Sequence, residues 1–484
     1  MINHLINWSV RCVIIIVIVA STIILVRAFD SRRLPDLKIW HRPVLESEFS
    51  VKNETQISDL KEYFKLEDRL FSELRTKVYE NLPPEDRIAV SRYTTGGRLD
   101  PESFSQNWNR SFELVPEHIR GGVLMLHGLT DSPYSMRNLA ELFRAQGYYV
   151  LCLRMPGHGT IPGALLKATW HDWMAITRLG ARHVRDKVGG QLPFYMVGYS
   201  NGGALTVKYI MEAIEDENLP MPEHAILLSP MLGVTFFARF SDWHKTLSWL
   251  PYFEKFRWLD IYPEYDPFKY NSFPKFAGEQ SFSLTRAISE QLEQSGKLAK
   301  FQPVLTFQSL VDATVLTPAI VDNFYNKLSP NHHELMLYDV NRLSEVNSFF
   351  LEKHDQLLQQ LMSAKELPYT LTILTNASND TRNVVIRSKK PRTGIAPDAP
   401  LMMEWPQKVY SLSNVAIPFP EDDLLYGPKG GDIYNDINIG TFSPRGEKGV
   451  LNVPTDLLMR LRYNPFFDYM KTHILETINS QQSG

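Results

Sequence analysis

Five consecutive residues, Gly198-Tyr199-Ser200-Asn201-Gly202, restrict this chain more than any others. They follow the apolar run Pro193-Phe-Tyr-Met-Val197 and lead into Gly203-Ala-Leu-Thr-Val-Lys-Tyr-Ile-Met211, which reads as a helix. The order is strand, sharp turn, helix, with serine at the turn. Glycine is needed on both sides because the turn is tight and the helix packs close, so a Cβ at either place would clash. Held there, the Ser200 hydroxyl stands above the sheet within reach of a base. The following helix N-terminus turns its free N–H groups toward developing negative charge. A plain glycine-rich turn shares the pattern, but the flanking strand and helix favour a nucleophilic serine.

The 484 residues suffice for one large α/β domain with appendages. A net charge of −3 and 44% hydrophobic content describe an ordinary globular protein, with no basic stripe to suggest nucleic acid. There is no internal repeat. The two cysteines, Cys12 and Cys152, fall in an apolar N-terminal run and an expected buried strand, so no internal disulfide is expected. No Cys/His cluster has metal-ligand spacing, so no metal site is expected.

Residues 1–30 form a separate unit. Cys12 to Val26 is uncharged and rich in β-branched residues. Counted from Trp8 to Phe29, a helix would reach about 33 Å, enough for a hydrocarbon core of about 30 Å, with Arg11 and Arg27 snorkelling. A single-pass membrane anchor fits this pattern. A cleaved signal peptide ending near Val26-Arg27-Ala28 is the rival, and a buried core helix is the third reading. Arg27, Arg32, Arg33 and Lys38 follow the span while only Arg11 precedes it, a lean toward the cytoplasmic face.

Residues 31–108 are expected to hold a polar, irregular linker and a packing helix over 58–82, which ends at Pro83-Pro84. From about residue 109, strands near 123–126, 148–153, 193–197, 225–228, 304–307 and 335–338 alternate with helices such as 135–147 and 170–188. This pattern implies a mostly parallel central sheet with helices on both faces. The core is expected over 109–231 and 301–363, interrupted by an insertion at 232–300 and followed by a C-terminal extension at 364–484. The extension carries an expected hairpin of 369–374 with 383–387. The insertion is dense in aromatics, among them Phe236, Phe237, Trp243 and Trp249. It falls where ligands bind in open α/β sheets, so these side chains are candidates to cover an apolar substrate group. A self-packed helical subdomain is compatible with that role.

Acyl transfer needs two donors for the tetrahedral oxyanion. The N–H of Asn201, next after the nucleophile, is one. The loop His127-Gly128-Leu129-Thr130-Asp131 supplies the other at Leu129, with Gly128 allowing the backbone to turn. His127 is expected to support the loop; Asp131 reads equally as a support or a turn residue. Met155-Pro156-Gly157-His158-Gly159-Thr160 mimics a dinucleotide fingerprint at the wrong spacing, and no helix opens there. Asp312 follows a later strand, in the order serine then carboxylate, and would orient the imidazole and stabilise its cation. As a helix cap it would compete with Thr317, the more natural residue.

With these residues the chain resembles the α/β-hydrolase superfamily, in its bacterial serine esterase and lipase branch. The resemblance rests on His127-Gly128-Leu129-Thr130, Pro156-Gly157-His158-Gly159, the Ser200 turn and the Asp312 loop, and covers about residues 109–345. Tyr265-Asp-Pro-Phe-Lys-Tyr-Asn-Ser-Phe-Pro274 is similar to a narrower group of membrane-associated members with C-terminal extensions. The resemblance implies hydrolysis of carboxylic esters, less often thioesters or amides, without a cofactor. A small-molecule ester or lipid is then the expected partner.

The general base is missing from its expected place. The loop Asp339-Val-Asn-Arg-Leu-Ser-Glu345 has no histidine. His332 and His333 precede the strand and enter at the wrong end of the sheet. His354 falls on an amphipathic helix and is expected to face solvent, while His473 has no evident route. The narrower group places Ser-His-Val-Ala before a proline where this chain has Ser413-Asn414-Val-Ala416. An amide cannot accept a proton near neutral pH, so Asn414 cannot serve as general base. Losing a triad histidine can cost on the order of 10⁶ in kcat. Three readings stay open: another histidine, His354 foremost, serves; the chain is a crippled enzyme or a ligand-binding pseudoenzyme; or the family's histidine belongs elsewhere.

Overall fold

The computed structural model describes residues 33–233, 251–294, 298–312, 314–344, 350–429 and 461–482, with Ile439 and scattered positions among the first 22. The strands are β1 (Phe112–Leu114), β2 (Gly121–Leu126), β3 (Tyr148–Leu153), β4 (Phe194–Tyr199), β5 (His224–Leu228), β6 (Trp258–Asp260), β7 (Phe273–Pro274), β8 (Val304–Ser309), β9 (Glu334–Tyr338), β10 (Thr370–Asn376), β11 (Asn383–Lys389) and β12 (Ala399–Glu404). The helices are α1 (Leu60–Leu74), α2 (Arg137–Ala145), α3 (Trp170–Val188), α4 (Asn201–Glu215), α5 (Lys275–Gln294), α6 (Thr317–Asn323), α7 (Glu352–Ser363) and α8 (Phe467–Gln482).

Ten strands form one sheet in the order β1-β3-β2-β4-β5-β8-β9-β10-β11-β12. The run from β3 to β10 is parallel throughout, and antiparallel pairs occur only at its two edges. Every residue of β2, β3, β4, β5 and β8 is buried, as expected of parallel strands covered on both faces. Alternation along β2 sends Leu124 and Leu126 to a core shared with α1, α3, α4 and α5, and Val123 and Met125 to one shared with α2 and α8. The chain leaves β2 for β3 on one side and returns to β4 on the other. This reversal opens a crevice at the carboxyl ends of β2 and β4, where Ser200 and the His127 loop emerge.

The extension continues this sheet. β10 pairs parallel with β9, Thr370 opposite Glu334, and β11 pairs antiparallel with β10, Leu371 opposite Lys389. The N-terminal residues also enter the core: Trp40, Leu45, Phe49 and Ile57 are buried. In α1, Leu60, Tyr63, Leu66, Leu70 and Leu74 line the buried face, and Asp59 caps the helix by accepting from the Glu62 N–H. Fully burying such an aliphatic side chain contributes about 1.5–3 kcal/mol. The helix expected to reach Leu82 is α-helical only to Leu74 and continues as a π-turn at Arg75–Tyr79.

The expected membrane anchor is overturned. Within the first 32 residues only Trp8, 11–15, 17–19 and 21–22 are described; all are helical and exposed. No helix among the described residues is long and apolar enough to cross a membrane. The single-pass assignment falls with the anchor, as do the membrane partnership and the cytoplasmic lean. The signal-peptide alternative near residue 26 lies outside the described residues.

Candidate active site

Ser200 ends the β4 turn with φ 51° and ψ −112°, a conformation that costs a non-glycine residue about 1–3 kcal/mol and is held only where neighbours enforce it. Here three hydrogen bonds do so. The Ser200 N–H donates to Leu228 O at 2.8 Å, and its carbonyl accepts from Ala204 N–H at 3.2 Å and Met231 N–H at 3.0 Å. The flanking glycines have a measurable reason. A Cβ on Gly198 would stand 2.4 Å from Gly202 O, and one on Gly202 would stand 2.1 Å from Leu126 O and 2.7 Å from His127 O. The start of α4 is therefore pressed against the end of β2, which brings Asn201 and the His127–Asp131 loop to the same crevice.

Asn201 is the first residue of α4, and the first intrahelical bond runs from Ala204 N–H to Ser200 O, so the amides of the opening turn have no helical acceptor. The Asn201 side chain is engaged elsewhere, its Oδ1 accepting from the Ser281 hydroxyl of α5 at 3.2 Å. Leu129 sits in a turn closed by Asp131 N–H to Gly128 O at 3.2 Å, followed by Thr130 at φ 65°. A Cβ on Gly128 would meet Asp131 Oδ2 at 2.9 Å and the Tyr199 ring at 3.0 Å.

The nearby histidines are supports. His127 Nδ1–H donates to Gly128 O at 2.8 Å, and its Nε2 accepts from Met155 N–H at 3.0 Å, spending both ring nitrogens on backbone. Burial pushes its pKa well below the ordinary value, and the neighbouring His158 adds to this. Burial likewise lowers His158 to about 3, with Nδ1–H donating to Pro156 O at 3.1 Å. Behind both loops lies the fully buried Arg154. It pairs with Glu67 at 2.8 Å and Glu48 at 3.0 Å, carboxylates brought by α1 and the segment before it.

Asp312 is buried in the turn after β8, its Oδ1 accepting from Thr314 N–H at 2.8 Å and Val315 N–H at 2.9 Å. It does not cap α6. Nor does Thr317, whose hydroxyl donates to Ser309 O at 2.6 Å; Leu316 holds that position without a side-chain bond. Asn341, just beyond β9, donates from its N–H to Tyr410 O and from Nδ2 to Val409 O, both at 2.8 Å. The segment carrying Asn414 is thereby drawn to the carboxyl end of β9. Leu412, Ala416 and Ile417 pack there in one core with Tyr199, Leu228, Phe307 and Tyr338. Asn414 is buried and opens the short 3₁₀ helix Asn414–Ala416, its Oδ1 accepting from Ser413 Oγ at 3.3 Å.

Among the fallback histidines, His354 differs from expectation. It is half-buried on the first turn of α7, which enters from the carboxyl end of β9, the end that holds Ser200. His473 lies at the opposite end, 3.0 Å from Glu334, the first residue of β9. His333 bonds Ser329 O at that same far end. The aromatic candidates Phe236, Phe237, Trp243 and Trp249 lie outside the described residues.

Residues 117–341 match a hydrolase family model described as serine aminopeptidase, S33. A thermostable monoacylglycerol lipase from Bacillus sp. (strain H-257) is 38% identical over 91 residues, 19% of this chain; the chain spans only 35% of that relative's length. Similar solved structures include a chain from a study of LipS and LipT, two metagenome-derived lipolytic enzymes (24% identity, TM-score 0.38, 52% of this chain and 96% of that one). Another is a Paleococcus ferrophilus monoacylglycerol lipase (17% identity, TM-score 0.35, 52% and 97%). The sheet that carries Ser200 has the α/β-hydrolase fold.

Proposed function

We propose that this α/β-hydrolase chain is a serine ester hydrolase of the esterase and lipase type, acting on esters with an apolar acyl or alkyl group. The observation that carries the reading is the strained Ser200 at φ 51°, with α4 pressed against the end of β2. In this reading Ser200 attacks the ester carbonyl, forming the Oγ–C bond as its proton passes to a base. The Leu129 and Asn201 N–H groups receive the oxyanion, and collapse of the tetrahedral adduct expels the alcohol and leaves an acyl-enzyme that water cleaves. Asp312 orients the base. The aromatic insertion binds the apolar part of the substrate. The monoacylglycerol lipase likeness favours a lipid ester, though it covers about a third of that relative.

Asn414 favours a second reading, a catalytically impaired protein that binds a lipid or acyl ligand. The resemblance puts a histidine at that position, and both ring nitrogens of His127 are spent on backbone. A fluorophosphonate probe separates the two. Labelling that disappears in Ser200→Ala supports the hydrolase, and an unlabelled wild type supports the binder.

A further inference from the structure

The turn Gly128-Leu129-Thr130-Asp131 contains two features that are costly without outside partners. Thr130 adopts φ 65°, where an L-residue costs about 1–2 kcal/mol, and Asp131 is a carboxylate with 4% of its surface exposed. Both are met from outside the hydrolase core, by the segment 261–272 between β6 and β7. Tyr270 N–H donates to Thr130 O at 2.8 Å, and Lys269 Nζ reaches Asp131 Oδ1 at 2.9 Å. Burial raises the Asp131 pKa, and the Lys269 charge opposes that rise.

This strap is itself bolted down independently of the turn. Asp266 Oδ1 accepts from the N–H groups of Phe268 and Lys269, each at 3.1 Å. Its Oδ2 takes the Tyr426 hydroxyl at 2.7 Å, a residue from the far C-terminal region. Arg92 Nη1 holds Asp266 O at 3.2 Å, and Asn109 Nδ2 holds Pro267 O at 2.9 Å. The Phe268 ring stacks on Tyr134 at 4.4 Å. The Tyr270 hydroxyl accepts from Thr160 N–H at 2.7 Å and donates to Gly157 O at 3.1 Å, joining the second loop at the mouth of the crevice. An immobile strap holding a strained, charged turn from one side is the arrangement that preorganisation requires.

We propose that Lys269 and Tyr270 are positioning residues that aim the Leu129 N–H into the crevice by fixing the Gly128–Asp131 turn from the β6–β7 strap. This rests on the assignment of that N–H as an oxyanion donor. Removing such a donor costs about 10²–10³ in kcat, so misaiming it should cost about tenfold.

The test uses the full chain and compares Lys269→Met and Lys269→Arg for two readouts, the rate of fluorophosphonate labelling and amide hydrogen exchange of residues 128–131. Lys269→Met is expected to slow labelling about tenfold and to speed exchange more in that turn than elsewhere, with a lowered melting temperature because Asp131 loses its partner. Lys269→Arg should restore both. In an Asp131→Asn background the methionine substitution should add little, because Lys269 acts through that carboxylate. Labelling and exchange equal to wild type in Lys269→Met would overturn the proposal, as would exchange that quickens no more in the turn than in the rest of the chain. An unlabelled wild type defeats the hydrolase reading instead, and exchange in the turn then decides whether the strap holds it.

Discussion

The half of the site on β2 and β4 and the half beyond β8 are built in opposite ways. The first uses adjacent strands, two short loops and glycines whose absent Cβ atoms let backbones touch, and its geometry follows from local sequence. The second draws on Asp312 after β8, Asn341 after β9 and the segment around Asn414, each from a different part of the chain. The first half holds the strained Ser200 and the two loops to which the proposal gives the nucleophile and the oxyanion donors. In the second, an amide stands where the resemblance puts the base.

The sharpest way to break this contrast is Asn414→His. Restoring a general base is worth about 10²–10⁴ in rate, so ester turnover should rise by at least two orders of magnitude and vanish again with Ser200→Ala. Flat turnover would mean that the base of the second half lies elsewhere. Next in size is Arg154→Met, behind the first half. Removing one partner of a buried ion pair costs about 3–5 kcal/mol, so chemical denaturation should show a loss of that order; less than 1 kcal/mol would mean the loops hold themselves. Asn341→Ala, which cuts the tether of the second half, should cost about 1–3 kcal/mol and reduce the gain made by Asn414→His. If that gain survives undiminished, the tether does not position residue 414.

The last effect is a pH dependence to which His158 of the first half contributes. The His158 pKa is about 3 in the folded protein and 6.5 in the ordinary state, so the native fold favours the neutral ring. On acidification through 6.5 the unfolded chain takes a proton that the folded one refuses. Stability from this residue is therefore present above about 6.5 and is lost progressively down to about 3. Melting temperatures between pH 7 and pH 4 should fall less steeply in His158→Asn; parallel curves would remove His158 from the account.

Much of the fold could be read in advance because it depends on periodicity. Residues 148–153 and 170–188 were expected as strand and helix and occur with those bounds. The supporting role of His127 was equally legible, since it lies in a loop that needs a brace. What escaped were partnerships. Nothing in the apolar run 369–374 says that it pairs parallel with β9 and lengthens the sheet, and nothing around Glu48 or Glu67 announces a buried arginine over eighty residues ahead. The apolar start of the chain was read as a membrane span on composition, and no described helix supports it.

Alternating strands and helices, a serine on a glycine-flanked bend and the lack of histidine in the loop 339–345 are properties of consecutive residues. They follow from backbone sterics and side-chain period, and so are present in the linear chain. Which distant carboxylate meets Arg154, which lysine braces Asp131 and which segment lies over β9 are matters of long-range contact. Such contacts arise where burying charge and apolar surface together lowers the free energy, and no local pattern encodes that meeting.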